Sequence, residues 1–388
     1  MRGHLVPQGK LFFTIDVESR IRADHPLRSL KRTVDEILRG LSDKFAAAYS
    51  QVGRPSVPPE RLLKALLLMA LYSIRSERQL AERIDMDLMF RWFLDMSPDD
   101  PAFDATTFTH NRPRLDAQGL TAAFFDAVLR RAINAGLTSD EHFSVDGTLI
   151  ESYASTKSFR PVAAETSNDS DRDEKPQDSN SFKPRNAEVN FHGQQRTNLT
   201  HASRTDPEAK LYRKSPGQEA KLCHLGHALT ENRNGLVMGV AISEANGTAE
   251  PAAALEMLDR LHQRLGKKPQ TLGSDKGFDS GPYYLELESR GIVPHSAMIE
   301  TPPANPKHLR AGKRPAFEAR CRMRERLLSE GYRISQRCRK KVEECFGWIK
   351  TVAGLARSRH VGRWKLRQQM ELAAAAYNLV RMRKLMPT

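Results

Sequence analysis

The 388-residue sequence lacks long apolar runs and contains few aromatic residues, which make up 7% of the chain. No stretch approaches the roughly 18 consecutive apolar residues of a membrane span. The first residues, MRGHLVPQGKLFF, also lack the apolar region and small-residue cleavage site of a secretory signal peptide. We therefore expect a cytoplasmic protein that has no membrane partner.

Cysteine is scarce as well, with four residues at positions 223, 321, 338 and 345. No pair has the CxxC spacing of a zinc ribbon, so free thiols in a reducing compartment are expected. Cys223 lies near His224 and His227, which raises the alternative of a zinc site. On a strand, positions 223 and 227 share one face and position 224 does not, so we favour a structural role for these three residues.

Positive charge, in contrast, is abundant, with a formal net charge of +14. Residues 301–388 contain 22 Lys and Arg but only 6 Asp and Glu, so the whole basic excess lies in this segment. A concentrated basic segment is typical of a protein with a polyanionic partner, usually nucleic acid. A solvated basic surface without such a partner is the alternative.

The first third of the chain is predicted to be helical. Apolar residues recur at helical spacing over residues 26–41, 60–71, 76–84 and 120–135. Ser76 is the expected N-cap of the third helix, because Gln79 stands three residues later in the capping-box pattern. The short helices are compatible with a DNA-binding helix-turn-helix or with a plain bundle, and the pattern slightly favours the bundle. We predict an all-α N-terminal domain over residues 1–136.

The remaining chain alternates strands and helices. Strands are expected at 142–150, 220–232, 235–245, 270–274 and 291–298, and helices at 251–265, 281–290, 337–353 and 366–386. A long polar insertion, disordered or functional, spans 155–219, and a basic, proline-containing insertion spans 301–332. Three strands followed by helix, strand, helix and strand predict an α/β fold with a mixed sheet, the order of the RNase H-like fold. We place this α/β domain at 137–360 and a closing helix at 361–388.

Three carboxylates are candidate metal ligands. Asp146 and Asp275 each follow a predicted strand, where a side chain projects from a rigid backbone. Glu343 lies one residue, about 100°, round a helix from the apolar stripe that begins at Val342, so it can face a cleft at the sheet edge. Mg²⁺ prefers oxygen ligands and keeps several waters, so two or three carboxylates suffice to hold it.

Each of these carboxylates also has a simpler interpretation. An Asp after a strand is more often a turn residue, and a helical face with Arg, Glu and Lys is more often a solvated surface. Asp279 is interpreted as the cap of the following helix rather than as a ligand. Trp348 is expected in the core, although stacking on a base is the alternative. His201 and Asp206 are interpreted as loop surface, with an approach to DNA as the alternative.

These residues resemble the signature of the DDE transposases of bacterial insertion sequences, in the branch called IS-five-like. Its three parts are the strand-end motif Val145-Asp146-Gly147-Thr148, the motif around Asp275, and a Tyr-Arg-Glu-Lys arrangement. Arg339, Glu343 and Lys350 keep the Arg-x3-Glu-x6-Lys spacing. Tyr332 is the candidate tyrosine, farther from the arginine than is usual in the family. The resemblance extends over nearly the whole chain, including the N-terminal helices.

The resemblance implies a magnesium- or manganese-dependent enzyme with two ions per site, held by Asp146, Asp275 and Glu343. Double-stranded DNA is the implied partner, both as terminal inverted repeats and as target, with a homodimer in the DNA complex. The N-terminal helical domain of residues 1–136 is the implied DNA-binding domain that recognises the terminal inverted repeats. Arg339, Lys340, Lys341 and Lys350 are the implied DNA-binding residues. The enzyme would cut the element's ends and join the freed 3′-hydroxyl to the target. A non-catalytic DNA-binding regulator and a nuclease of the RNase H-like fold remain as alternatives.

Overall fold

The computed structural model describes residues 14, 16–50, 52–53, 55–162, 189–191, 194–213, 218–300 and 310–386. Parts of both predicted insertions, at 163–188, 192–193, 214–217 and 301–309, lie outside the described residues.

Eight helices precede the sheet among the described residues. They are α1 (Val17–Arg20), α2 (Pro26–Arg39), α3 (Ser42–Ala48), α4 (Pro59–Leu71), α5 (Glu77–Met86), α6 (Leu88–Phe93), α7 (Thr106–Ala117) and α8 (Leu120–Asn134). The predicted all-helical character of this region is confirmed. The predicted N-cap is also confirmed, because Ser76 Oγ accepts a hydrogen bond from the backbone N–H of Gln79 at 3.1 Å.

Ten strands and six further helices follow in the described chain. The strands are β1 (His142–Glu151), β2 (Phe159–Pro161), β3 (Val189–Phe191), β4 (Gln194–Arg196), β5 (His201–Ser203), β6 (Lys210–Tyr212), β7 (Lys221–Glu231), β8 (Val237–Glu244), β9 (Thr271–Ser274) and β10 (Val293–Ser296). The helices are α9 (Ala249–Leu265), α10 (Gly281–Ser289), α11 (Arg314–Arg326), α12 (Glu330–Cys338), α13 (Lys341–Thr351) and α14 (Arg363–Leu385). Of the described helices, none combines the length and apolar character that a bilayer-crossing segment needs.

The main sheet has the order β10-β9-β1-β7, with β8 and β6 both paired to β7. The strands β1, β7 and β8 form the predicted antiparallel meander, and β1, β9 and β10 run parallel. Gly235 makes the turn between β7 and β8 with a φ of 70°, a conformation that glycine adopts without strain. The predicted α/β fold with an RNase H-like mixed sheet and a helical N-terminal region is confirmed.

The last helix, α14, joins the two parts of the molecule. The predicted closing helix at 366–386 corresponds to it. Four consecutive alanines, Ala373–Ala376, are buried and let α14 pack against α8 and α4 on one side and β8 on the other. One apolar core therefore runs from the N-terminal helices through α14 to the sheet.

The side chain of Asn378 on α14 completes the hydrogen bonding of the strand β8. Its amide donates to the carbonyl of Val237 and accepts from the N–H of the same residue, both at 2.8 Å. Asn378→Leu should lower the free energy of unfolding by about 1–3 kcal/mol, because it leaves two buried backbone groups unpaired. Urea unfolding would measure the loss. Lys384→Leu, on the exposed face of the same helix, should stay within about 0.5 kcal/mol of the wild type.

One prediction about the C-terminal third is wrong, and a further helix there was not anticipated. The single helix expected at 337–353 is two helices, α12 and α13, with Arg339 and Lys340 between them. The segment 301–332 contains the helix α11, which buries only Ala319 and Met323. Because α11 docks mainly through arginines that pair with acids of other segments, its sequence has no apolar stripe to reveal it.

The described part of the polar insertion folds back onto the sheet. Asp206, interpreted from sequence as loop surface, is instead fully buried. It accepts hydrogen bonds from Ser152 Oγ at 2.7 Å and from His224 Nε2 at 3.0 Å. The structural role expected for His224 is confirmed, since the residue anchors the insertion to β7. His227 is also buried and contacts Ser243 Oγ at 2.7 Å.

Candidate active site

The sequence suggested that Asp146 directly follows a strand. In the structure it lies within the strand β1. The parallel partner β9 pairs only with residues 142–144, whereas the pairing with β7 continues to residue 151. Asp146 therefore projects where the neighbouring strand stops, which gives it the open position expected of a strand end. Its Oδ1 accepts a hydrogen bond from the N–H of Gly147 at 2.8 Å, and its side chain is 19% exposed.

Asp275 directly follows β9, as predicted. Its Oδ1 accepts a hydrogen bond from the N–H of Gly277 at 2.7 Å, which caps the 3₁₀ turn Lys276–Phe278. In the β1–β9 ladder Ser144 is level with Gly273, so the same register two residues on puts Asp146 level with Asp275. Adjacent strands lie about 4.8 Å apart, and parallel strands end at the same sheet edge. We therefore expect the two carboxylates to lie close together at that edge.

The helix α12 lies across this edge of the sheet. A β-carbon at Gly273 would lie 3.1 Å from Ser335 Oγ and 3.3 Å from Ser144 Oγ, so the absence of a side chain lets α12 approach the sheet closely. One turn further on, the guanidinium Nη1 of Arg339 is 3.6 Å from Oδ2 of Asp146. Arg339, predicted to act near the site, is thus brought to the first aspartate.

Glu343 occupies the first turn of α13 and is exposed. The apolar stripe predicted around it is buried, including Val342 and Ile349. Its neighbour Glu344 faces the other way, with Oε2 3.5 Å from Nη1 of Arg381 on α14. Glu344 therefore has an ion-pair partner on α14, whereas the ion pairs of the described residues do not include Glu343. Its assignment as the third ligand stays a prediction.

The three predicted carboxylates do not form a closed metal cage. Within the described ranges, no three His, Cys, Asp or Glu side chains lie close enough together to hold a metal ion. A carboxylate that sequence reasoning missed, Glu250, does lie at this edge. It is in the first turn of α9, and a β-carbon at Gly277 would lie 2.9 Å from Asp275 Oδ1 and 3.1 Å from Glu250 Oε2. In sequence it resembles any acid at a helix start, so no local signal identified it.

Other predicted site residues are distributed differently. Lys340 is exposed and Lys350 is half-buried. The ammonium of Lys341 donates to the carbonyls of Asn232 at 2.6 Å and Arg233 at 3.0 Å, so it fastens α13 to the β7–β8 turn. We therefore leave Lys341 out of the proposed DNA-binding surface.

Two aromatic residues of the signature region are packed inside the molecule. Tyr332 on α12 is half-buried, with its ring 6.0 Å from that of His295 in an edge-on contact. Burial raises the pKa of Tyr332, and the positive charge of Arg339 partly offsets this. Trp348 packs edge-on against Tyr377 at 5.7 Å, which confirms the expected core contact.

Asp279 does not cap α10, contrary to the sequence interpretation. The N-cap residue is Ser280. The carboxylate of Asp279 instead accepts hydrogen bonds from Arg320 at 3.0 and 2.7 Å and from the N–H of Ile299 at 2.9 Å. This aspartate therefore holds the segment around α11 against the end of β10 and is not a candidate ligand.

Comparison with known proteins gives two family matches. A family described as "Transposase domain (DUF772)" matches residues 15–114, and one described as "Transposase DDE domain" matches residues 139–379. The second match includes all three predicted carboxylates. No curated protein matches the chain significantly.

One solved structure is similar, "Crystal structure of the Mos1 mariner paired end complex with Mn". It is 13% identical, and the alignment covers 89% of this chain and 92% of that chain, with a TM-score of 0.20. A TM-score this low carries no information about function.

Proposed function

The chain belongs to the transposase DDE domain family, and on this premise we propose that it moves an insertion sequence of the IS-five-like branch. In this proposal the enzyme binds the terminal inverted repeats, cuts DNA at the ends and joins the 3′-hydroxyl to target DNA. End recognition is assigned to the helices of residues 1–136 and chemistry to residues 137–360, with 361–388 as the closing helix. The protein acts on bacterial nucleoid DNA in the cytoplasm.

The observation that best supports this proposal is the shared register of Asp146 and Asp275. Two carboxylates at one open sheet edge, with Arg339 beside the first, form an anionic site flanked by a cation. Such a site can hold divalent metal and still attract a phosphodiester. A non-catalytic regulator has no need of that arrangement.

The donor atoms near this edge fit a hard divalent cation. Asp146, Asp275 and Glu343 offer only carboxylate oxygens, which Mg²⁺ and Mn²⁺ both accept. We propose that these three residues hold two ions. Bound there, two ions would activate the attacking oxygen and stabilise the leaving one.

The side chains of this protein supply the positioning. We propose that Arg339, which directly follows α12 and lies 3.6 Å from Asp146, binds a phosphate oxygen of the DNA. In the first step water forms a bond to phosphorus and the bond to the 3′-oxygen breaks, which frees a 3′-hydroxyl. In the second step that hydroxyl attacks a target phosphodiester and displaces the target's own 3′-oxygen. No covalent enzyme intermediate is required.

The exposed face of α12 is a proposed DNA-binding surface. Arg333 and Arg337 are exposed four residues apart on one side of α12, and Lys340, in the link that follows the helix, is exposed as well. Across the residues that the structure describes, the salt bridges do not include these three. Many other C-terminal arginines pair with acids, so the free positive surface is smaller than the sequence suggested. It lies next to Arg339 and the two aspartates.

The double variant Arg333→Gln/Arg337→Gln should weaken DNA binding and reduce its salt dependence. Each lost phosphate contact lowers the slope of log K against log salt by about 0.9, so a decrease of nearly 2 is expected. Binding titrations between low and moderate salt would measure it. The control Arg260→Gln/Arg264→Gln removes the same charge from α9 and should leave the slope unchanged. Equal slopes for the α12 variant and the wild type would contradict the surface.

A strand-transfer assay tests the function itself. Purified protein, Mg²⁺, a donor carrying the element's ends and a target plasmid should yield covalently joined donor–target products. Cleaved ends without joined products would support the nuclease alternative. Binding without any cleavage would support the regulator. Because two ends must be paired, we also propose that a homodimer assembles on DNA, which light scattering of the complex would measure.

A further inference from the structure

The helix α12 has little apolar surface to hold it against the sheet. Within this helix, which the structure describes in full, Ser335 is the only buried residue. Its Oγ packs over Gly273 and forms no hydrogen bond with any described residue. The next helix, α13, instead buries four side chains, Val342, Cys345, Phe346 and Ile349. Apart from the ring contact between Tyr332 and His295, the position of α12 on the strand ends therefore depends largely on polar contacts.

The side chain of Gln336 makes such contacts with two strands at once. Its Nε2 donates to the carbonyl of His295 on β10 and, at 3.4 Å, to the carbonyl of Ser274, the last residue of β9. Both acceptors are carbonyls, so only the NH2 end of the amide can face them. The strands β9 and β10 are parallel neighbours. One planar amide that bonds both of them fixes where the helix lies along the sheet edge.

These two hydrogen bonds lie between the parts of the proposed site. Ser274 directly precedes Asp275, and Gln336 stands three residues before Arg339. Arg339 directly follows α12 and continues its hydrogen bonding, because its N–H donates to the carbonyl of Ser335 at 2.9 Å. Its guanidinium Nη1 is 3.6 Å from Oδ2 of Asp146. The position of α12 on the strand ends therefore determines where this guanidinium lies relative to the aspartates.

We propose that Gln336 is a positioning residue, which holds Arg339 beside Asp146 by fastening α12 to the ends of β9 and β10. The inference rests on the proposed function, because it takes Arg339 as the residue that binds a DNA phosphate. Gln336 itself contacts neither DNA nor metal in this proposal. A displacement of about 1 Å can slow an enzymatic reaction roughly a hundredfold, so a small shift of α12 is sufficient to affect cleavage.

A double-mutant cycle separates this positioning role from a general structural role. Gln336→Met keeps the length of the side chain and removes its donors, so it should slow single-turnover cleavage at saturating DNA by about ten- to a hundredfold. Arg339→Ala should slow cleavage at least as much. In the Arg339→Ala background, Gln336→Met should change the rate by less than about twofold, because no guanidinium is left to position.

Gln368→Met is the matched control for the loss of a hydrogen bond. Gln368 is buried, and its Nε2 donates to the carbonyl of Arg112 at 3.1 Å, which joins α14 to α7. This control should lose stability in urea but cleave saturating DNA at the wild-type rate. If Gln336→Met does not fold, Gln336→Asn replaces it in the cycle. This variant keeps the amide on a side chain one carbon shorter, and its loss of rate should also disappear without Arg339.

The possible outcomes distinguish the positioning role from the proposed function. Wild-type cleavage by Gln336→Met would mean that α13 alone fixes Arg339, and it would overturn the positioning role. Equal losses with and without Arg339 would overturn it too, because Gln336 would then act through the fold as a whole. Normal cleavage by Arg339→Ala would leave Gln336 with nothing to position. A wild type that binds the element's ends but neither cuts nor joins them would instead refute the proposed function.

Discussion

Asp275→Asn is expected to slow cleavage of the element's ends by about a thousandfold, equivalent to roughly 4 kcal/mol of transition-state stabilisation. The amide oxygen of asparagine can still accept the hydrogen bond from Gly277, so the turn after β9 should keep its shape. The charge that holds a divalent cation is lost. The same outcome is expected for Asp146→Asn and Glu343→Gln, which remove the other predicted ligands.

The assay for Asp275→Asn separates chemistry from binding. Single-turnover cleavage of an end-containing duplex gives the rate, and a gel-shift titration in Ca²⁺ gives the affinity. Asp140→Asn is the control, because this residue precedes β1 at the opposite end of the sheet and pairs with Lys267. It should cleave at the wild-type rate. Normal cleavage by Asp275→Asn would remove this residue from the site, and loss of DNA affinity would point to a folding defect.

The carboxylates at the sheet edge could be predicted because strand order and strand ends are encoded locally. The alternation of HFSVDGTLI and the short run QTLGS were sufficient to place Asp146 and Asp275 each at a predicted strand end. The register that makes them level is a long-range property, and only the structure provides it. The same limit explains why Glu250 was missed. Its side chain approaches Gly147, which lies about 100 residues earlier in the chain, as well as Gly277.

The sequence-based predictions were least accurate for charged residues. Sequence reasoning treated the C-terminal arginines as one basic surface for DNA. In the structure Arg320, Arg322 and Arg326 pair with Asp279 and Glu288. Ion pairs between distant segments have no periodicity, so a pattern-based reading assigns such residues to the solvent. The same reasoning assigned Asp206 to loop surface, although hydrogen bonds from two distant residues bury it.

Asp279→Ala is expected to lower the free energy of unfolding by about 3 kcal/mol, the largest stability effect predicted here. Its side chain is fully buried and accepts two hydrogen bonds from Arg320, with Nη2 2.7 Å from Oδ2. Removing the acid leaves the guanidinium and the N–H of Ile299 without their partner. Breaking one side of a buried pair costs about 3–5 kcal/mol, and the partial exposure of Arg320 moderates the loss.

A matched control is available on the neighbouring surface. Asp259 binds Arg290 with the same two-pronged geometry, at 2.8 and 2.9 Å, but its side chain is 44% exposed. Asp259→Ala should therefore cost less than about 1 kcal/mol. Urea unfolding midpoints of both variants at neutral pH give the comparison. Equal losses would mean that burial does not strengthen the Asp279 pair.

The pH dependence of the Asp279 effect follows from its lowered pKa. Burial alone would raise the pKa of this carboxyl, but hydrogen bonds from Arg320 and Ile299 and the charge of Arg320 outweigh burial. Its stabilisation is therefore complete above the unfolded-state pKa of about 3.9 and is lost as the pH falls through the lower folded-state value. The stability difference between wild type and Asp279→Ala should stay constant from about pH 5 to 8 and shrink below about pH 4. A difference that grows in acid would reverse this sign and contradict the ion pair as its cause.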